Sequence, residues 1–370
     1  MNGEDLFKGI VSGTNESILA DVTRFGLAFL SKGYEKAVTM RNKKYDKGDG
    51  VTTVSVPVIS VGNITAGGTG KTPMVHFICD ALSKKGFHPT VLSRGYKAKD
   101  NSESIIISEH GKLLVEPEVS GDEAWLLAKV LSKSSVIIGR KRAISAQLAI
   151  DTLGADCLVM DDGFQHRALY RDKDIVLIDA SNPFGYEHVL PRGLLREPLD
   201  GLKRATSIVL TKVDQVDPGL VVALKQRLER MVPHIPIYET THKPRTVYTI
   251  DEWAQGEEGN AIGFGQEHAV MAVSGIGNPY SFTKTLEGCN YNVVHTMGFG
   301  DHHDFTNDDV VTIWKEAFAH SATAIMITEK DAVKLSQLYT IEELKIPILV
   351  LSIGIEFKSG KQEFIENLGI

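Results

Sequence analysis

The string TAGGTGKT, residues 65–72, has the makings of a loop that wraps phosphate. Ala66, Gly67, Gly68, Thr69 and Gly70 offer consecutive main-chain N–H groups, and the three glycines let the backbone turn those groups inward around phosphate oxygens. Lys71 supplies a point charge, and the Thr72 hydroxyl is a natural ligand for Mg²⁺. The usual pattern is G-x-x-x-x-G-K-[ST]; Thr65 stands where its first glycine belongs. A second set of chemical groups lies in LVMDDG, where an apolar run ends in Asp161 and Asp162, the arrangement that holds Mg²⁺ directly or through water. Gly163 then lets the chain leave sharply.

A phosphate loop is compatible with several chemistries. ATPases that dimerise on nucleotide use K-G-G-x-G-K-T, and Ala66 occupies the position of that first lysine. TKVD, residues 211–214, is a partial match to the guanine-reading N-K-x-D, with Thr211 in place of Asn. It keeps open a GTPase or metal-delivery switch whose base reader is Asp214. DDGFQHRALYRD, LPRGLLREP and GFGDHHDFT fit no switch protein and are dense with polar groups that have no evident core role. Asp301, His302, His303 and Asp304 could suggest zinc, although their spacing is not that of a zinc site. The alternative is a carboxylate–histidine base, with Thr306 capping a following helix.

These groups need elements that bring them to one place. VSVPVISVG (54–62) reads as a strand before the loop, with a helix from Lys71 that tolerates Pro73 in its first turn. TVLSR, SVIIG, CLVMDD, DIVLIDA and SIVLTKVD read as further strands, alternating with helices over GDEAWLLAKVLSK and RKRAISAQLAIDTLG. SIIIS and KLLVE form a hairpin. The alternation predicts an α/β fold, a P-loop-type mostly parallel sheet flanked by helices, with functional groups at the strands' carboxyl ends. The proline-rich stretch PHIPIYETTHKPRTVY is a linker or interdomain strand pair, and a smaller C-terminal α/β domain follows. The expected division is residues 1–50, an N-terminal amphipathic helical segment; 51–235, the nucleotide-binding domain; and 236–370, linker strands and the smaller domain.

Within 16–40 a helix is expected. Ile18, Val22, Phe25 and Phe29 form its apolar stripe, with Leu19 and Leu30 alongside and Lys32, Lys36, Arg41, Lys43 and Lys44 following. Such a helix packs on a core or lies on an anionic membrane surface. The N-terminus lacks the pattern of a signal peptide, and no apolar run reaches the roughly 18 residues that span a bilayer. A net charge of −7 disfavours nucleic acid as the main partner. Cys79, Cys157 and Cys289 are too far apart for a metal or redox motif, which points to a reducing compartment.

VGNITAGGTGKTP, LSRGY, GDEAWLLA, MDDGFQHRAL, PRGLLREP, TKVD, GIGNPYSF, DHHDFT and TEKDAVKL resemble, in order, the motifs of the tetraacyldisaccharide 4'-kinase family, over roughly residues 15–340. The family's own phosphate loop has the same departure at its first position. The resemblance implies transfer of the ATP γ-phosphate to the 4'-hydroxyl of a tetraacyldisaccharide 1-phosphate, a step of lipid A biosynthesis, with Mg²⁺. It implies Asp122 as the catalytic base and His302 as its partner, with His303 as the other candidate. It further implies Asp161, Asp162 and Glu197 around the metal beside Thr72, and Arg94 and Arg196 on phosphate charge. Ala124 departs from the proline that commonly follows GDE in the family. The glycolipid substrate implies peripheral attachment to the cytoplasmic face of the inner membrane through the N-terminal helix, with no obligate protein partner evident.

Overall fold

The computed structural model describes residues 3–95, 103–301, 303–338 and 346–369. Helix α1 (Gly3–Ser12) precedes α2 (Ile18–Asp46), whose N-terminus is capped by the Ser17 hydroxyl accepting from Ala20 N–H. α2 is longer than the expected 16–40 because Arg41, Lys43 and Lys44 continue it, cations that suit a helix C-terminus. α1 was not expected. β1 (Val58–Asn63) starts four residues later than the predicted strand, after Pro57, which has no N–H for a ladder.

The nucleotide-binding part then alternates. α3 (Lys71–Lys84), β2 (Pro89–Ser93), the hairpin β3 (Ile105–Glu109) and β4 (Lys112–Leu113), and α4 (Pro117–Ser120) come first. They are followed by α5 (Asp122–Val130), β5 (Ser135–Ile138), α6 (Arg142–Leu153), β6 (Cys157–Asp161), β7 (Lys173–Asp179), β8 (Ser207–Thr211) and α7 (Pro218–Met231). The proline-rich stretch is neither coil nor a strand pair in itself. It is most of one long strand, β9 (Ile237–Thr249). Pro244 is tolerated there because it sits at a register shift, opposite Ile353.

Beyond β9 come α8 (Ile250–Gln255), β10 (Ala269–Ser274), α9 (Pro279–Gly288), β11 (Asn292–Gly298), α10 (Asn307–Ala319), β12 (Ala324–Thr328), α11 (Glu329–Leu335), β13 (Ile348–Phe357) and α12 (Lys361–Asn367). Among the described residues the strands form one thirteen-stranded sheet in the order β11-β10-β12-β13-β9-β8-β7-β1-β6-β2-β5-β3-β4. β9 is its seam. It runs parallel to β8 at one end and antiparallel to β13 along the rest.

The fold is α/β, as expected, and mostly parallel; the antiparallel pairs are β9 with β13 and those made by β3. β1, β2, β5, β6 and β8 are buried along their whole length, which fits their near-continuous apolar sequences. α3, α5 and α12 cover one face of this half through Met74, Ile78, Leu127 and Phe364. α6 and α7 cover the other through Ala146, Ala149, Leu224 and Leu228. In the second half α8, α10 and α11 share a core around Trp253, Ile313 and Val333, and α9 packs on the opposite face through Phe282 and Leu286.

Candidate active site

Parallel strands running side by side deliver their carboxyl ends to one rim. Ser93, Asn63, Asp161, Asp179 and Thr211 end β2, β1, β6, β7 and β8 there. The 65–72 loop leaves β1 at this rim and enters α3 at Lys71, so phosphate would face a helix N-terminus. Gly67 (φ 116°) and Gly70 (φ 84°) have the positive φ values that favour glycine. One backbone carbonyl and two side chains from elsewhere brace the loop. Ala66 N–H donates to Leu194 O, the Thr211 hydroxyl to Thr69 O, and Lys212 Nζ to Gly68 O at 3.1 Å. Lys212 also pairs with Asp179. Thr211 and Lys212 of TKVD therefore brace the loop, while Asp214 is exposed.

Two carboxylates sit beside the loop in different states. Asp161 is buried, with Ser93 Oγ donating to it at 3.2 Å. Burial, and then the charges of Asp162 and Glu123, push its carboxyl up to about 6. Asp162 takes a left-handed backbone, φ 50°, and meets Lys71 Nζ at 3.5 Å and Arg196 at 2.8 Å. Burial alone would raise Asp162; Lys71 and Arg196 outweigh it and hold the carboxyl below its usual range. Gly62 and Gly163 let these turns approach: a Cβ on Gly62 would lie 2.6 Å from the Phe164 backbone N, and one on Gly163 2.6 Å from Ser60 Oγ.

Glu197 is engaged by protein donors. It was expected beside the metal, but it is fully buried and both of its oxygens are taken. Arg204 donates to the two oxygens at 3.0 and 2.8 Å, Gln165 Nε2 to one and Asn42 Nδ2 to the other. The carboxylate is a clamp that joins three segments. Arg196 faces Asp162 directly, so its charge is partly spent before any phosphate arrives. Arg94 is exposed just past β2, and its charge adds a small share to the burial that lowers the pKa values of Arg142 and His166.

Asp122 opens α5 and lies 3.0 Å from Lys334 Nζ of α11, across the join between the two halves. Lys334 also meets Asp304 at 2.9 Å and donates to His303 O at 2.7 Å. One turn earlier Lys330 lies 3.3 Å from Glu123 and 3.1 Å from Asp301. The GDEA and DHHDFT segments thus share the same two lysines. His302 lies outside the described residues. His303 is engaged elsewhere: its Nε2 is 3.0 Å from Asp309, and its ring stacks on Phe299. Asp309 completes the capping box with Thr306, the cap expected from the sequence.

Sequence reading gave no role to Lys330 and Lys334, although their i,i+4 spacing in TEKDAVKL is the signal of two cations on one helix face. His242 of β9 was passed over as well. Its Nε2 is buried without a hydrogen-bond partner among the described residues, and a Cβ on Gly70 would lie 2.9 Å from it. Burial, with Lys212 nearby, lowers its pKa to about 4. Cys79 and Cys157 are buried, as expected, and burial pushes the Cys79 thiol up to about 12.

α2 reaches this site from outside. On one side Ser31 Oγ donates to Val189 O, Tyr34 OH to Arg196 O at 2.8 Å, and Asn42 to Glu197. At about 100° per residue, the stripe of Ile18, Leu19, Val22, Phe25, Phe29 and Leu30 points the other way. All six are exposed, from 59% at Leu30 to 83% at Ile18. No helix among the described residues is long and apolar enough to cross a membrane.

The family model for the tetraacyldisaccharide-1-P 4'-kinases matches residues 23–369. Similar proteins named tetraacyldisaccharide 4'-kinase include one from Syntrophus aciditrophicus, 36% identical over 352 residues that cover 90% of each chain. Another, from Halothermothrix orenii, is 33% identical over 368 residues, 96% of this chain and 94% of its own. A crystal structure of the "apo" form of LpxK from Aquifex aeolicus in complex with ATP superposes with a TM-score of 0.73 at 31% identity, covering 94% of this chain and 98% of that one.

Proposed function

The chain belongs to the tetraacyldisaccharide-1-P 4'-kinase family, and from that premise we propose a division of labour among its residues. It is an ATP-binding kinase of lipid A biosynthesis. Residues 66–72 cradle the triphosphate of ATP. Asp122 is the general base for the 4'-hydroxyl of the glycolipid, and His302 is its partner. The sugar hydroxyl is a weak nucleophile. As its oxygen forms a bond to the γ-phosphorus, its proton passes to the Asp122 carboxylate and the bond to ADP breaks. Lys334, 3.0 Å from Asp122, fixes one carboxylate oxygen, which leaves the other for the hydroxyl. His303, occupied by Asp309, is the weaker candidate for partner.

The donors suit Mg²⁺. Asp161 is a buried carboxylate with no cation at ion-pair distance among the described residues, and hard oxygen ligands match that ion. Thr72 and Asp161 would hold it, with Asp162 beside them; Glu197 is not in the set. The ion would offset charge on the transferring group. Lys71 and Arg196 do the same from the protein, with Arg94 at the rim.

We also assign the exposed stripe of α2 to the membrane surface on which the glycolipid lies, the cytoplasmic face of the inner membrane. Six exposed apolar side chains, each worth about 1.5–3 kcal/mol on burial, are a large patch to leave in water. Residues 1–50 are then an anchoring segment, and 51–235 and 236–370 are the two units whose interdomain cleft closes on substrate, with α12 of the second packed back on the first.

The observation that carries this reading is the meeting of GDEA and DHHDFT at Lys330 and Lys334, with Glu123 near enough to Asp161 to help raise its carboxyl. Its test is transfer from γ-labelled ATP to detergent-dispersed tetraacyldisaccharide 1-phosphate. Asp122→Asn should lower kcat by about 10²–10⁴-fold, with the KM for ATP changed only a few-fold. Near-normal turnover would remove Asp122 from the mechanism. His302→Ala should cost more turnover than His303→Ala. GTP outcompeting ATP would revive the switch reading based on TKVD.

A further inference from the structure

Away from the nucleotide rim, His295 of β11 and Glu316 and His320 of α10 bring three ligand atoms within 4.8 Å of one another. The kinase reaction uses none of them. We propose that they form a site for a first-row divalent cation of the zinc class.

The backbone aims His295 at the helix. β11 is the edge strand beside β10, and its pairing slips between Val270↔Val293 and Met271↔His295. One residue, Val294, is left over. Side chains alternate along a strand, so without the slip His295 would share Val293's face, the one covered by α9. The bulge moves it to Met271's face, where α10 packs through Val310, Ile313 and Ala317. Bulges at sheet edges commonly re-aim a side chain in this way.

The helix contributes its last turn. Glu316 and His320 are four residues apart and so share a face, and His320 closes α10, its N–H donating to Glu316 O. Terminal carbonyls there carry partial negative charge, which favours a cation. The two imidazoles stack at 3.7 Å with planes 5° apart, and the Glu316 carboxylate lies beside both. Glu316 Oε2 lies 3.6 Å from His320 Nε2 and 4.0 Å from His295 Nε2. Both separations are too long for hydrogen bonds. They exceed by a few tenths of an ångström the spacing of about 3.3 Å between two ligands that share a tetrahedral ion with bonds of 2.0–2.1 Å, so ligation requires small side-chain rotations that draw the three groups together. Two imidazoles and one carboxylate select a borderline cation over Mg²⁺, which prefers oxygen throughout. The three groups are half-exposed, so solvent can supply the remaining ligand.

The test uses the full chain, stripped with a chelator and titrated with ZnCl₂ by calorimetry in excess Mg²⁺, so that oxygen sites at the nucleotide rim stay filled. One zinc equivalent should bind and raise the melting midpoint. His295→Ala and His320→Ala should each weaken that equivalent at least tenfold, and Glu316→Gln should weaken it with little change of shape. Circular dichroism and the zinc-free melting midpoint should be unchanged, since all three side chains are at the surface. The proposal is overturned if the unmodified chain binds no zinc, or if the His295→Ala/His320→Ala double variant binds it as tightly as the parent.

Discussion

At Glu197 a carboxylate of the expected metal set spends both oxygens on protein donors, and that makes its role testable. Removing one partner of a buried charge pair costs about 3–5 kcal/mol, because the other charge stays buried without compensation. Glu197→Ala should therefore lower unfolding stability by about that much, measured in urea, through the stranded Arg204. Glu197→Gln should cost less and leave the Mg²⁺ concentration for half-maximal turnover unchanged, whereas Thr72→Val and Asp161→Asn should raise it. A large rise in the Glu197→Gln variant would put this residue back among the metal ligands. His242 makes a prediction in pH. Its folded pKa, about 4, lies below the ordinary 6.5. The unfolded chain therefore takes up a proton that the folded chain refuses, so its contribution is present above pH 6.5 and is lost as pH falls toward 4. The urea midpoint of His242→Gln should fall less steeply than that of the parent across this window. Only the difference between the two proteins isolates the effect, because Asp174, raised to about 6, has the opposite sign and loses its contribution as pH rises. Equal slopes would mean that His242 is not held neutral by burial.

At the scale of elements, α2 has two working faces. The Tyr34 and Asn42 face grips the segment that carries Arg196 and Glu197, while the stripe from Ile18 to Leu30 meets solvent. Replacing Val22, Phe25 and Phe29 together by Ser should leave folding intact, since these side chains pack on nothing that is lost. Flotation with anionic vesicles should fall at least tenfold, and turnover on vesicle-borne acceptor should fall with it. Turnover on detergent-dispersed acceptor should be nearly unchanged. Unaltered flotation would assign the stripe to some other cover. The periodicity of this stretch was legible in the sequence, but its surroundings were not: a core-facing and a membrane-facing stripe have the same spacing, and the apolar stripe becomes informative only once it is found exposed. The phosphate loop and the Asp161-Asp162 strand end were legible because their chemistry is local, a few residues long and fixed by one strand–turn–helix. β9 was misread because three prolines mask a strand. The bulge that accommodates Pro244 depends on β13, more than a hundred residues away. The hydrogen bonding of Glu197 was hidden for the same reason: its donors come from α2, the DDGFQHR turn and the residues near Arg204, and only the folded chain brings them together.

For the whole molecule, the question is what holds the second half over the rim. The sheet runs through β9 without a break, Leu126 of α5 packs into the core shared by α8, α10 and α11, and at the chemistry two lysines of α11 meet Asp122 and Glu123 on one side and Asp301 and Asp304 on the other. Exposed ion pairs contribute about 0–1 kcal/mol each. These lysines are shielded, with Lys334 12% and Lys330 21% exposed, and each meets two carboxylates, so the network should be worth more than isolated pairs. Even so, most stability resides in the apolar cores, which themselves cross between the halves at Leu126, Ile355 and Phe364, and loss of both lysines should lower the melting midpoint by only a few degrees. Turnover is expected to respond far more. If closure brings the DHHDFT segment to Asp122, Lys330→Met/Lys334→Met should lower kcat at least a hundredfold. ATP affinity, set by the loop and its braces from Thr211 and Lys212, should hold within a few-fold. Small-angle scattering should show a larger radius of gyration for the double variant with ATP bound than for the parent under the same conditions. A variant with normal kcat would show that Asp122 works without the second half. A variant with lost kcat and an unchanged radius would place the lysines in the local orientation of Asp122 instead of in closure.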